Sequence, residues 1–276
     1  MQIIGDYSIM NEDVIIKDTL ELLGTEAANR YIAHVYCYGG KCDVFFNDSR
    51  FLLEQGGCMI IVSNKLVEGI VPSEDFRCKV IYISDSFLEM CSPEGNNYYV
   101  TGTISLFLNP VMALTPEEQE LCRADFEEVE RRLERMSHHF YQEVLISTIR
   151  TLFLDFYDFH VRIYGYTDVP VQGAILLSKF FSMLEGGAYR THREVAYYAS
   201  VLCVVPKYLS ELCIKFSGFP ANYWIKRFTV QEVKKLLGDK SLTVVEIADR
   251  LNFSSPSYLN RYVHKNLGVS PLDYRR

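Results

Sequence analysis

Residues 247–275 read IADRLNFSSPSYLNRYVHKNLGVSPLDYR, and this stretch decides how the C-terminal third of the chain folds. Just ahead of it, Thr243 and Glu246 have the T-x-x-E spacing of a capping box, in which hydroxyl and carboxylate each satisfy a backbone N–H at a helix start. The helix they open is short, because Asn252 ends it. Ser255-Pro256 then supplies a capping hydroxyl and a proline at the first helical position, where its missing N–H costs nothing. The next helix runs to Gly268, a residue type that closes helices by turning left-handed.

The same pattern occurs upstream, from Thr191 to Gly218. Thr191 and Glu194 form another T-x-x-E pair, Pro206 starts a helix and Gly218 stops it. The cores 206–218, PKYLSELCIKFSG, and 256–268, PSYLNRYVHKNLG, share Pro-x-Tyr-Leu. Val205 stands where a capping serine is usual. A longer helix, Ala221 to Leu237, lies between the repeats, and another, Gln172 to Leu184, precedes them and closes at Gly186-Gly187. Each repeat is therefore a helix-turn-helix unit whose second helix has the size that enters a DNA major groove, about 12 Å wide. A linking helix of about 17 residues is roughly 26 Å long. It would hold two such helices about one turn of DNA, near 34 Å, apart.

Charge supports this division. The chain carries 28 Lys+Arg against 35 Asp+Glu, a net of -7; from Val171 onward there are 15 basic and 8 acidic residues, a net of +7, which leaves 13 basic and 27 acidic, a net of -14, for the rest. A basic module joined to an acidic partner domain suits contact with nucleic acid. The boundary falls at Tyr164–Pro170, where the helical pattern lapses, so the expected domains are 1–168 and 171–276.

From Gln172 to the end, the chain resembles the arabinose-regulator (AraC) family of bacterial transcription factors. The resemblance is densest at Ile247-Ala248, Phe253-Ser254, Tyr258-Leu259, Arg261, Gly268-Val269, Pro271 and Tyr274-Arg275. It implies a seven-helix DNA-binding domain preceded by a ligand-sensing or oligomerising domain. Carried over by position, it implies base contacts from Lys207, Ser210 and Glu211 on one helix and from Ser257, Asn260 and Arg261 on the other. Many relatives have Arg where this chain has Glu211. A carboxylate can only accept, for example from cytosine N4, so Glu211 either reads a base in that way or avoids phosphates and contributes nothing. Arg193, Lys215, Lys226, Arg227, Lys265 and the Arg275-Arg276 end are expected phosphate contacts. Leu209, Leu212, Tyr258, Leu259 and Val263 fall on the apolar faces and are expected in the core.

Ahead of the boundary, short runs rich in Val, Ile, Phe and Tyr are punctuated by turn residues. They are Tyr31–Tyr38, Cys42–Phe46, a run from Phe51, Cys58–Val62 and Cys78–Ile83, with an Asn47-Asp48 turn. The expected fold is α+β: an antiparallel sandwich or cupin-like barrel with a helical pair over about 115–160, then the all-α module. On the first strand Ile32, His34, Tyr36 and Tyr38 share one face. His34, Tyr36 and Tyr38 are expected to line an effector pocket, and packed core is the alternative. In the 115–140 helix the apolar positions Cys122, Phe126, Val129, Leu133, Met136 and Phe140 keep the 3.5-residue average of a coiled-coil seam. This predicts a homodimer through that helix; the competing expectation is that the seam docks onto its own barrel.

Several function classes are disfavoured. Apolar residues make up 49% and charged ones 23%, the balance of a globular protein. No apolar run approaches the roughly 20 residues that span a bilayer, so no membrane partner is expected. The start has no basic segment followed by an apolar stretch, and the eight cysteines form no framework, which together suggest reduced thiols in a cytoplasm. His34 is the sole histidine among the strands, so neither a metal cluster nor a cofactor is expected, and the chain is not expected to be an enzyme. The expected function is sequence-specific transcription regulation controlled by a small-molecule effector, with promoter or operator DNA and RNA polymerase as partners. Two alternatives are an enzyme directed to DNA by the helix-turn-helix module and an effector-independent regulator with a structural front domain.

Overall fold

The computed structural model describes residues 12–91, 105–165 and 171–276. The chain divides into two compact units, Met1–Val169 and Pro170–Arg276.

The first unit is built on two antiparallel sheets. Strands β1 (Val14–Lys17), β2 (Tyr31–Gly39), β5 (Gly57–Ile61), β7 (Arg77–Ser84) and β8 (Val111–Ala113) form one, in the order β1-β7-β2-β5-β8. Strands β3 (Lys41–Phe46), β4 (Ser49–Glu54) and β6 (Val67–Pro72) form the other, in the order β4-β3-β6. Asn47 and Asp48 join β3 to β4 with φ of 52° and 60°, the doubly left-handed turn whose twist suits a two-residue hairpin. Helix α1 (Asp85–Cys91) follows β7, and helices α2 (Pro116–Leu133) and α3 (Tyr141–Tyr164) follow β8.

Helix α2 starts on a complete capping box: Thr115 accepts from the Glu118 N–H, and Glu118 accepts from the Thr115 N–H at 2.7 Å. Arg162 of α3 grips the same carboxylate with two nitrogens and donates to the Ala113 carbonyl, tying α2, α3 and β8 together. The helix ends at Leu133, so Met136 and Phe140 lie beyond it, 59% and 57% exposed. Cys122, Phe126 and Val129 are fully buried, and the Phe126 ring meets Tyr36 of β2 and Phe156 of α3. The first three positions of the expected pairing seam are therefore buried inside the chain, docking α2 onto its own sheet and helix.

The second unit contains seven α-helices among the described residues: α4 (Val171–Glu185), α5 (Val195–Val201), α6 (Pro206–Ser217), α7 (Ala221–Gly238), α8 (Val244–Arg250), α9 (Pro256–Leu267) and α10 (Pro271–Tyr274). Helix α7 serves two cores. Near its start Trp224 packs edge-on to Phe181 and Phe228 lies beside Tyr189. Toward its end Val233 and Leu237 join Ile247, Leu251, Leu259 and Val263. A single rigid element thus sets the distance between the two repeats.

Candidate nucleic-acid interface

The two repeats turn by the same backbone device. Two residues past the end of α5, Cys203 has φ of 56°; two past the end of α8, Asn252 has φ of 50°. Around them Val204 N–H donates to the Ala199 carbonyl at 2.9 Å and Phe253 N–H to that of Ala248 at 2.8 Å. Both alanines are fully buried, which lets each short helix approach the one that follows. The connection is one residue longer in the second repeat, where Ser255 caps α9 by accepting from the Tyr258 N–H; Val205 gives α6 no side-chain cap. Gly218 and Gly268 end α6 and α9 with φ of 73° and 75° and donate to the Ile214 and His264 carbonyls.

The capping boxes differ. Thr243 and Glu246 make both reciprocal bonds. Thr191 and Glu194 make neither, because a 3-10 turn at Ala188–Arg190 claims Thr191. Its φ of -107° and ψ of -30° are helical, not the extended geometry that a capping residue needs, and α5 starts after Glu194 instead.

Core positions turn inward as the periodicity predicts: Leu209, Leu212, Leu259 and Val263 are buried. Tyr258 is a correction, since it is 44% exposed, as is its counterpart Tyr208 at 41%. The third position of each helix faces outward, and the guanidinium of Arg261 lies 5.7 Å from the Tyr258 ring. The shared Pro-x-Tyr-Leu was the available signal for this exposed aromatic. Lys207, Glu211, Ser257, Asn260 and Arg261 are exposed and Ser210 is half-buried. Lys207 and Glu211 lie 3.8 Å apart, a solvated pair that either residue can leave at little cost.

The expected phosphate contacts divide. Lys215, Lys226 and Lys265 are exposed. Arg227 is buried, at 4%, in the flank of α7 and does not reach a surface where a phosphate could meet it. Arg193 is half-buried: it donates to the Arg190 carbonyl at 2.7 Å and to the Leu251 carbonyl, and its charge lies against Phe253. Burial lowers its pKa, but a guanidinium stays charged. Arg275 is half-buried and Arg276 exposed at the end of the chain.

In the first unit the expected effector face is closed. His34 packs against Phe153 and Phe156 with ring centres 5.1 and 5.5 Å away, and Tyr36 meets Tyr38 edge-on at 4.7 Å. The space left around His34 is about 10 Å³, room for one water at most. Burial lowers the His34 pKa to about 3, so its imidazole is neutral at ordinary pH, and its Nδ1 has no partner among the described residues. His34 and Tyr36 are thus core in this structure and Tyr38 is half-buried beside them, because α2 and α3 cover the face that alternation alone left open. Among the described residues no group of three His, Cys, Asp or Glu side chains is placed to hold a metal, and no helix is long and apolar enough to cross a membrane.

The profile of a helix-turn-helix domain family matches residues 198–276, from the buried Tyr198 of α5 to the end of the chain. Residues 198–276 are thus a helix-turn-helix domain of the AraC type. The regulatory protein PocR of Salmonella typhimurium is 31% identical over 78 residues, covering 28% of this chain and 26% of PocR, so the likeness spans about a quarter of that protein. ToxT from Vibrio cholerae aligns with 89% of this chain and 90% of its own at 14% identity, with a TM-score of 0.46. The AraC-like transcriptional activator CuxR aligns with 79% of this chain and 72% of its own at 10% identity, with a TM-score of 0.39. Within the AraC-type domain, α6 and α9 are the second helices of the two units.

Proposed function

We propose that this protein is a sequence-specific transcription regulator that grips double-stranded DNA with α6 and α9 together, under the control of its first unit. The observation that carries this reading is the repeated turn. Cys203 and Asn252 occupy the same left-handed position, and each turn is followed by a proline-started helix with an exposed polar face. Lys207, Ser210 and Glu211 lie on one such face and Ser257, Asn260 and Arg261 on the other. Arg261 has the donor fork that fits guanine O6 and N7, and Asn260 the amide that fits adenine N6 and N7. The exposed Lys215, Lys226 and Lys265 would meet phosphates, which position a protein without reading sequence. Helix α7, with 18 residues, is about 27 Å long, compatible with two major-groove visits on one face of a duplex. Promoter DNA and RNA polymerase are the partners of such a regulator, and a small molecule bound by the first unit is its effector.

The test is binding of the full chain to a pool of duplexes followed by fluorescence anisotropy as salt rises. Affinity should fall linearly on a log–log plot, with a slope of about -0.9 for each phosphate neutralised. A folded chain that binds no duplex at low salt contradicts the proposal.

A further inference from the structure

The two sheets of the first unit close along one side, where β4 meets β5 and β8, and part along the other, at the edge strands β1 and β6. At the parting edge, between β6 and the loop 18–25 that follows β1, lies a cavity of about 620 Å³. That is within the range of sites for small organic molecules, roughly 300–1,000 Å³. Its walls are fixed. The buried Asn64 donates to the Ala28 and Tyr31 carbonyls at 2.7 and 2.9 Å and accepts from the Gly24 N–H at 3.3 Å. Gly24 has φ of +77°, and a Cβ there would lie 3.2 Å from Val67 Cγ1, so the loop is pressed onto β6 as closely as its backbone permits.

The chemistry of the lining is one-sided. Leu23, Val67, Ile70 and Phe76 supply apolar surface. Asp18, Glu21 and Glu68 are the charged residues of the lining, and no Lys, Arg or His is among them. Glu68 is engaged with the Asp48 N–H at 2.7 Å. Asp18 and Glu21 are exposed and in no ion pair among the described residues, so their charge faces the opening uncompensated. An anion entering would meet like charge with nothing to offset it, whereas a cation gains two unpaired carboxylates.

We propose that this cavity binds a small organic cation, its apolar body against Val67, Ile70 and Phe76 and its ammonium at Asp18 and Glu21. Binding stands on the lining alone; the further role of this ligand as effector rests on the regulator proposed above.

The experiment uses the full chain and three probes of matched shape: 2-phenylethylamine, 2-phenylethanol and 3-phenylpropanoate. In thermal-shift and calorimetric titrations at millimolar concentrations, the amine should bind about three- to tenfold tighter than the alcohol, and the carboxylate weakest of all. Asp18→Asn with Glu21→Gln, both at exposed positions, should erase the preference for the amine while circular dichroism stays unchanged. Ile70→Trp should fill the cavity and weaken amine and alcohol alike. A carboxylate that binds as well as the amine, a cation preference that survives the double substitution, or no binding by any probe overturns the site. DNA affinity is then measured with the amine present. A shift lost in the double variant supports the effector role, and an unchanged affinity overturns that role while leaving the site intact. If the unliganded chain fails to bind duplex, the regulator reading falls and the site stands.

Discussion

The guanidinium of Arg193 sits 4.0 Å from the centre of the Phe253 ring. Arg193 lies just ahead of α5 in the first helix-turn-helix unit and Phe253 lies in the turn of the second, so the contact joins the two units independently of α7. The same guanidinium reaches the Arg190 and Leu251 carbonyls, and the Asn252 carbonyl lies 3.5 Å away. A charge expected on a phosphate instead fixes how one reading helix is held relative to the other.

Arg193→Ala should therefore destabilise the protein by about 1–3 kcal/mol, because it removes charge-assisted hydrogen bonds to backbone carbonyls as well as the ring contact. In urea unfolding, a cycle with Phe253→Leu should give a coupling of about 1 kcal/mol between the two residues. An arginine that served phosphate alone would leave the unfolding midpoint where it is.

Cys203 holds a left-handed backbone at φ 56° that its side chain resists, whereas Asn252 is of the type that tolerates it. Cys203→Gly should raise stability by about 0.5–1 kcal/mol, the relief of strain exceeding the added freedom of the unfolded chain. Asn252→Val should lower it. Thermal unfolding of both variants measures the pair of effects, and a loss in Cys203→Gly would deny that the two turns are equivalent.

The carboxyl of Asp125 in α2 is pushed up to about 7, first by burial and then by the charge of Asp155 in α3. The folded state thus holds its proton more tightly than the unfolded state does. This contribution to stability is complete below the ordinary aspartate range, near 4, and declines as pH rises from there through about 7. Asp125→Asn should remove that decline and stabilise the protein above pH 7 by about 1 kcal/mol, a figure discounted for the solvent that reaches the pair. Unfolding midpoints between pH 5 and 8 test it: wild type and variant should diverge as pH rises, and parallel curves would refute the tightly held Asp125 proton.

Legibility in the sequence followed how local each interaction is. The caps at Ser255 and Thr243 and the stops at Gly218 and Gly268 act within one helical turn, so the C-terminal unit could be read residue by residue. Thr191 failed because a competing turn at Ala188–Arg190 leaves no trace in a T-x-x-E spacing. Strand β6 was missed because Gly69 and Pro72 weaken its pattern at a sheet edge, and β8 because three residues show no period. The periodicity of Cys122, Phe126 and Val129 located a buried seam correctly but says nothing about whether a partner or the chain's own sheet buries it. His34, Tyr36 and Tyr38 met the same difficulty: alternation assigns residues to a face, and only tertiary packing decides what covers that face. Arg193 and Arg227 were indistinguishable from surface cations, since their burial depends on helices remote in sequence.

The central claim is that α6 and α9 read one duplex together. Hydroxyl-radical footprinting of the full chain on a site selected from random sequence tests it most directly. The expected result is two protected segments on one face, centred about 10 base pairs apart. Arg261→Ala should cost about 1–3 kcal/mol of discrimination at one or two base pairs within one segment and leave the other segment's sequence preference intact. A single protected segment, or a uniform loss across all sequences in Arg261→Ala, would contradict the account.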